Sequence, residues 1–276
     1  MSNITAADVS KLRKITGAGM MDCKKALTEA DGDFERAKEL IREKGLAIAN
    51  KRADREASEG AVIATVTEDK KTGVIIALNC ETDFVAKNED FVALAEKILN
   101  IAIEKQPANL NELKNIETEG KTIEAQVIER SGLTGEKMEL AYYDKINAEF
   151  VQQYIHMGNK LATIVGFNKI VSDEQVAKDV AMQIAAMNPV AVDKDNVPDQ
   201  VIEQELTIGR EQARNEGKPE NMLEKIAQGK LNKFFKESTL LNQEFVKEGK
   251  ITVKDYLRRI DSELTVTEFK RFGLNN

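Results

Sequence analysis

The chain has 276 residues, enough for two or three domains of ordinary size. Apolar residues make up 42 % and charged residues 32 %, a mixture typical of chains that bury hydrophobic cores. The net charge of −7 argues against nucleic acid as a direct partner, because proteins that bind duplexes usually present a basic face.

The start of the chain carries no recognisable targeting signal. Residues 1–5 have neither the basic start nor the apolar run of a signal peptide. No window of the sequence approaches the length of a membrane span. We therefore expect a cytoplasmic protein with no membrane partner.

Residues 1–50 are predicted to form a small helical domain. Thr5 is placed to cap a first helix that Gly17 ends, and Asp33 is placed to cap a third helix that ends at Gly45. Three short helices, with Gly-Met at the first turn, resemble a ubiquitin-associated domain. In such domains this turn is a surface for docking proteins.

Two methionines lie at that turn. Met20 and Met21 are either partly exposed contact residues or core residues, and the pattern leaves both interpretations open. Cys23 follows them among lysines on a predicted helix. A lowered thiol pKa is one interpretation of this position, and a packed, inert thiol is the one we favour.

The pattern then changes from helical to extended. Residues 51–59 are charged and predict a linker or an exposed helix end. Apolar runs at 61–66 and 74–78 flank a polar turn and predict a β-hairpin, with a further possible strand at 138–142. We assign residues 60–148 to an N-terminal core subdomain.

Asp83 and Phe84 lie between the second predicted strand and a predicted helix, where loops often carry binding groups. The simplest interpretation makes Phe84 a core residue and Asp83 the cap of the following helix. The alternative is that the carboxylate and the ring form an exposed binding pair. Neither Cys80 nor the other cysteine matches a metal-ligand spacing, so no metal site is predicted.

The plan of strand, turn, strand and helix recurs at residues 150–167 and in the helix that Asp173 is placed to cap, which predicts an internal duplication of an α+β unit. His156, the single histidine, lies just before the second turn and is either structural or functional. No acid or nucleophile at a suitable spacing makes it catalytic. We assign residues 149–197 and 238–276 to a C-terminal core subdomain.

Residues 198–237 are predicted to form an antiparallel helical hairpin inserted into that subdomain. Pro198 precedes the first helix, and Gly217 and Pro219 force the turn to the second. The hairpin either projects from the α+β body or packs along it.

Three motifs, in order, resemble signatures of the bacterial translation elongation factor Ts family. They are residues 16–27 (TGAGMMDCKKAL), residues 82–88 (TDFVAKN) and the segment 217–246. Together they span nearly the whole chain, so the resemblance does not rest on a single local match.

The resemblance implies a guanine-nucleotide exchange factor that binds elongation factor Tu, both GDP-bound and nucleotide-free, without a cofactor, small-molecule substrate or chemistry of its own. Asp83 and Phe84 would enter the GTPase near its Mg²⁺ and phosphate site. Lys247 stands where some relatives have an apolar residue, which leaves the neighbouring contact open. The residues that the resemblance places at the interface are Arg13, Met20, Met21, Lys24, Asp83, Phe84, His156, Phe245 and Val246.

Two other functions are weighed against this one. An adaptor would bind another protein through residues 1–50 and would leave Asp83 and Phe84 without a purpose. A small-molecule enzyme using Cys80 or Asp83 is disfavoured, because the sequence offers no nearby histidine, no Gly-rich phosphate loop and no paired catalytic acids.

Overall fold

The computed structural model describes residues 4–274, so residues 1–3 and 275–276 of the terminal predicted domains lie outside the described residues. The α-helices are α1 (Ala6–Thr16), α2 (Met20–Glu29), α3 (Phe34–Lys51), α4 (Asp83–Ala86), α5 (Glu89–Lys105), α6 (Leu110–Asn115), α7 (Ile123–Thr134), α8 (Glu174–Met187), α9 (Asp199–Asn215), α10 (Glu220–Ser238) and α11 (Val253–Arg258). The strands are β1 (Glu59–Val66), β2 (Thr72–Cys80), β3 (Glu117–Thr118), β4 (Lys121–Thr122), β5 (Met138–Asn147), β6 (Phe150–Ile155), β7 (Leu161–Phe167) and β8 (Val266–Gly273). Helices and antiparallel strands together make the predicted α+β fold.

The first three helices pack around a small core of their own. α1 begins at a capping box in which Thr5 and Asp8 each accept the other's backbone N–H, and it ends at Gly17 in the left-handed conformation. Asp33 caps α3, as predicted. The residues that fill this core are Val9, Leu12, Ala18, Cys23, Ala26, Leu27, Ala37 and Ile41. Cys23 is therefore a packed thiol, as favoured above.

The predicted end of the third helix at Gly45 is wrong, because α3 continues to Lys51. Gly45 is buried where α3 crosses α7 and meets Gly132. A Cβ atom placed on Gly132 would lie 2.3 Å from the Cα of Gly45, a distance that real Cβ atoms do not adopt. Gly45 therefore serves the close approach of two helices rather than the end of one.

β2 is buried on both faces, which explains its unbroken apolar run. It is the central strand of a sheet with the order β1-β2-β5. Val74, Ile76 and Leu78 contribute to the core shared with α5, α6 and α7. Ile75 and Ala77 alternate with them and face a second sheet. The alternation of polar and apolar residues typical of a half-exposed strand is lost because both faces are covered.

The second sheet has the order β6-β7-β8, and β7 shows the same arrangement as β2. Ala162 and Ile164 face the first sheet, whereas Val165 and Phe167 face α8 and α11. The two sheets are thus stacked, with helices covering both outer faces. β8 reaches the edge of this sheet only after the chain has formed the long helices α9 and α10.

α9 and α10 form the predicted antiparallel hairpin. Gly217, with φ of 73°, makes the turn, and Pro219 directly precedes α10. Leu206 packs with Ala227 and Leu231 along the interface between the two helices. No helix within residues 4–274 combines the length and the apolar character needed to cross a membrane.

Candidate partner-binding surface

The connection between β2 and α5 exposes an aromatic ring. Phe84 lies on the one-turn helix α4, and 83 % of its surface is exposed. Its neighbours Val85 and Ala86 pack against the core, so the rotation of about 100° per helical residue turns Phe84 outward. The interpretation of Phe84 as a core residue is wrong. Asp83 begins α4 rather than capping α5, whose cap is Asn88.

The base of α4 is held by partly buried hydrogen bonds. The hydroxyl of Thr82 donates to Glu136 at 2.8 Å, and the backbone N–H of Thr82 donates to the same carboxylate at 3.1 Å. The thiol of Cys80 donates to the carbonyl of Thr82 at 3.2 Å. Burial, aided by the charge of Glu136, raises the pKa of Cys80 to about 12, which keeps this thiol protonated and unreactive.

Glu81 ties the segment after α3 to the end of β2. Its carboxylate accepts hydrogen bonds from Arg52 at 3.1 Å, from Arg55 at 3.0 Å and from the backbone N–H of Lys137 at 2.6 Å. Burial opposes ionisation of Glu81, but the N–H of Lys137 and the two guanidinium groups outweigh it and lower the pKa of the carboxyl group.

Replacing Glu81 by glutamine is expected to cost about 1 kcal/mol at pH 7, because charge-assisted hydrogen bonds are lost at a partly exposed site. The folded pKa lies below the unfolded one, so this stabilisation is present above the ordinary glutamate pKa and is lost as the pH falls through the folded value. Urea unfolding at pH 7, 5, 4 and 3 should therefore show the wild type and Glu81→Gln converging at acidic pH. A constant difference across that range would contradict the assignment.

Four charged residues beside α4, which we call the charge ring, form two ion pairs. Lys87 Nζ donates to Asp83 at 2.6 Å, and Lys160 Nζ lies 2.8 Å from Glu59. The hydrogen bond from Lys87 lowers the pKa of Asp83, and the charge of Lys160 lowers it further. The hydrogen bond to Asp83 in turn raises the pKa of Lys87, with a smaller contribution from Glu59. The two ion pairs thus also act on each other electrostatically.

His156 lies at a turn that β1 connects to α4. It is exposed at the turn between β6 and β7, and its Nδ1 lies 3.0 Å from the hydroxyl of Tyr154. The turn is attached to β1 by a hydrogen bond from the N–H of Val62 to the carbonyl of Asn159 at 2.6 Å. The contact between Lys160 and Glu59 then links it to the charge ring. The histidine turn and the helix that carries the Asp83–Phe84 pair are thus both attached to β1.

A second exposed surface lies on α1 and α2. Arg13 and Lys24 are exposed, and Met20 and Met21 are 45 % and 64 % exposed, which excludes the interpretation of either methionine as a core residue. An ion pair between Asp22 and Lys44 holds the start of α2 against α3.

A third candidate contact is divided between the surface and the core. Val246 is exposed, but Phe245 is only 2 % exposed and its ring stacks on Tyr256 with the centroids 4.1 Å apart. In this structure the Phe245 ring lies beneath the exposed Val246, and the expected partner contact of this segment stays a prediction. Lys247 pairs with the buried carboxylate of Asp179 at 2.7 Å, which anchors this segment to α8.

Sequence reasoning missed Met157, the neighbour of His156. Its side chain is 88 % exposed at the tip of the β6–β7 turn. The signal was present in the sequence, because a residue at the tip of a tight turn cannot reach the core of the sheet. Exposed aromatic and thioether side chains on rigid supports are suited to binding another protein.

Among residues 4–274, no group of three or more His, Cys, Asp or Glu side chains is arranged to hold a metal ion. The charged residues at the surface around α4 instead pair with one another, as in the ring of Asp83, Lys87, Glu59 and Lys160. This surface therefore presents the exposed apolar side chains of Phe84 and Met157 near charged residues that are paired with one another.

Comparison with known proteins gives a consistent result. A family model described as Elongation factor TS matches residues 81–276. A protein named Elongation factor Ts from Azobacteroides pseudotrichonymphae is 51 % identical over 272 residues, which cover 99 % of this chain and 98 % of that protein. Proteins of the same name from Amoebophilus asiaticus and Porphyromonas gingivalis are 55 % and 53 % identical, covering 97 % and 99 % of this chain and 98 % of each relative.

Proposed function

The chain belongs to the elongation factor Ts family, and from this premise we propose that it is a guanine-nucleotide exchange factor for elongation factor Tu. It binds the GDP-bound and nucleotide-free forms, promotes GDP release by disturbing the Mg²⁺ and phosphate site, and so allows GTP to load during translation elongation in the cytoplasm. It catalyses no chemical reaction and needs no cofactor, nucleic acid or membrane. The observation that carries the proposal is the exposed ring of Phe84 beside Asp83 on a rigidly held helical turn.

The proposed mechanism weakens the electrostatic interactions that bind GDP. GTPases hold the diphosphate through P-loop amides, a lysine and a Mg²⁺ ion. A side chain that displaces the elements of the GTPase that hold Mg²⁺ removes part of the binding energy for GDP. The coupling is reciprocal, so GDP weakens binding of the factor by the same amount.

Several contacts are needed to produce this coupling. A thousandfold weakening of GDP corresponds to about 4 kcal/mol. A single desolvated aromatic anchor contributes about 2 kcal/mol, so Phe84 alone is insufficient. We propose that the remaining coupling comes from the two other exposed surfaces and the histidine turn, through Arg13, Met20, Met21, Lys24, His156 and Val246, with Phe245 supporting Val246.

We further propose a domain organisation that follows the family. A ubiquitin-associated-like domain and a linker precede a duplicated core, into which the helical hairpin is inserted. Two hairpins, each covered by a helix, support the duplication. The proposed ranges are 1–50, 51–59, 60–148 and 149–197 with 238–276, with the helical hairpin at 198–237.

The test is the release of fluorescent GDP from the cognate elongation factor Tu, measured with and without the protein. We expect strong acceleration by catalytic amounts of the protein. Chelating Mg²⁺ should speed release strongly in its absence and add little in its presence, because both treatments act on the same site.

The outcomes separate function from mechanism. No acceleration would overturn the exchange function and favour an adaptor that binds a different protein through Met20 and Met21. Chelation of Mg²⁺ could also speed GDP release by the same factor with the protein as without it. That result would retain the exchange function and overturn the Mg²⁺ mechanism.

A further inference from the structure

Packing within the protein does not explain the position of the Met157 side chain. At 88 % exposure it is the most exposed of the large apolar side chains in the described part of the chain. It contributes almost nothing to the core, and an apolar group in water gains nothing from that position. Single exposed apolar residues are common on protein surfaces, so exposure alone assigns no role. The role of Met157 is instead inferred from the turn that carries it and from the residues near that turn.

Met157 is presented by a rigid turn. The N–H of His156 donates to the carbonyl of Leu161 at 2.8 Å, and the N–H of Asn159 donates to the carbonyl of His156 at 3.0 Å. Gly158 and Asn159 adopt left-handed conformations, with φ of 83° and 55°. The bond from Val62 to Asn159 fixes the turn to β1. The backbone that carries Met157 is therefore held by hydrogen bonds within the turn and to β1.

This turn and α4 are both attached to β1, the turn by the hydrogen bond from Val62 to Asn159 and α4 by packing. Lys160, three residues after Met157, contacts Glu59 and also acts on the carboxylate of Asp83. Asp83 is the direct neighbour of Phe84. The two most exposed large apolar side chains of the described residues therefore stand on adjoining supports that are both attached to β1.

We propose that Met157 is a second apolar anchor for the protein that receives Phe84, and that the two side chains enter neighbouring apolar depressions of that partner. This inference rests on the proposed function, because it assumes that α4 meets elongation factor Tu. Continuity with that surface identifies the occupant. The two ion pairs near the anchors sum to zero charge, so the facing surface of the partner needs to be apolar rather than strongly charged.

A flexible thioether suits such a depression. Methionine is unbranched and adapts to irregular pockets, whereas Phe84 is a rigid ring that needs a pocket of defined shape. The rigid backbone turn limits the entropy lost on binding to the side chain itself. Met157 is thus an adaptable contact beside a rigid one.

The experiment compares Met157→Ala, Met157→Leu and a matched control, Ile170→Ala, in the GDP-release assay. Ile170 is 75 % exposed and follows the opposite end of β7, so it tests the loss of an exposed apolar side chain away from the proposed surface. We expect Met157→Ala to raise the concentration needed for half-maximal acceleration about tenfold, the loss expected for one buried methionine contact. Met157→Leu should stay close to wild type, and Ile170→Ala should be unchanged.

The outcomes keep this inference apart from the proposed function. If the wild type does not accelerate release, the proposed function fails and this inference fails with it. If the wild type accelerates release and Met157→Ala matches it, only this inference is overturned. Sedimentation of the free protein is the second measurement: self-association that Met157→Ala abolishes would assign the side chain to contact between two copies and would also overturn the proposal.

Discussion

Replacing Phe84 by alanine is expected to lower the efficiency of GDP release by about thirtyfold. The ring has the properties of an interface anchor, because it is large, rigid and presented on a fixed base. Truncation of such an anchor costs about 2 kcal/mol, and each 1.4 kcal/mol corresponds to a factor of ten. The ring is 83 % exposed in the free protein, so its removal should leave the free energy of unfolding unchanged.

The measurement is the rate of fluorescent GDP release from elongation factor Tu over a range of factor concentrations, together with thermal unfolding of each variant. Ile170→Ala is again the control, since it removes an exposed apolar side chain elsewhere. Equal acceleration by Phe84→Ala and wild type would show that α4 is a scaffold only. A large fall in the unfolding temperature would show that the ring stabilises the fold, contrary to its exposure.

Replacing Gly132 by alanine is expected to destabilise the protein by about 2 kcal/mol. The new Cβ would lie 2.3–2.4 Å from backbone atoms of Gly45, and a backbone cannot move aside as a flexible side chain does. Overpacking of this kind costs about 3 kcal/mol at the upper end of its usual range. The better helix propensity of alanine offsets about 1 kcal/mol of that cost.

The matched control is Gly229→Ala, the same substitution at an exposed glycine inside α10. A Cβ there meets no atom within 4 Å, so the helix propensity should act alone and stabilise the protein by up to about 1 kcal/mol. Urea unfolding measures both variants. We expect the free energy of unfolding to fall for Gly132→Ala and to rise for Gly229→Ala. An unchanged free energy of unfolding for Gly132→Ala would show that the crossing of α3 and α7 can relax.

Gly132→Ala also has a functional consequence. The contact with Gly45 fixes the first three helices on the core and therefore fixes Met20 and Met21 relative to α4. Separating α3 from α7 should weaken binding to elongation factor Tu even where the protein remains folded.

Local signals in the sequence were sufficient for most elements of the fold. Thr5, Asp33 and Gly17 act within one helical turn of themselves, so their roles as caps can be inferred without knowledge of the rest of the chain. The turn at Gly217 and Pro219 is local in the same sense. The hairpin β1–β2 follows from two apolar runs around a polar turn.

The features that escaped prediction depend on residues far apart in the chain. Gly45 looks like a helix end until Gly132 is known to lie against it. Glu59 and Lys160 are separated by about a hundred residues, so no local pattern in the sequence predicts their ion pair. The burial of Phe245 depends on its stacking with Tyr256, which no periodicity within one element reveals.

The stacking of the two sheets has a consequence for the chain during its synthesis. The inner face of the first sheet, which includes Ile75 and Ala77, is complete once residue 147 has been made, but its cover is β6 and β7. At about 5–20 residues per second, β7 follows within a few seconds, whereas β8 follows it only after about 5–20 s because α9 and α10 are translated first. A nascent chain of this protein therefore carries an unpaired edge on β7 while the ribosome is still elongating it. The β7 edge of this chain is thus open to pairing with other chains until β8 has been made, and slow elongation lengthens that interval.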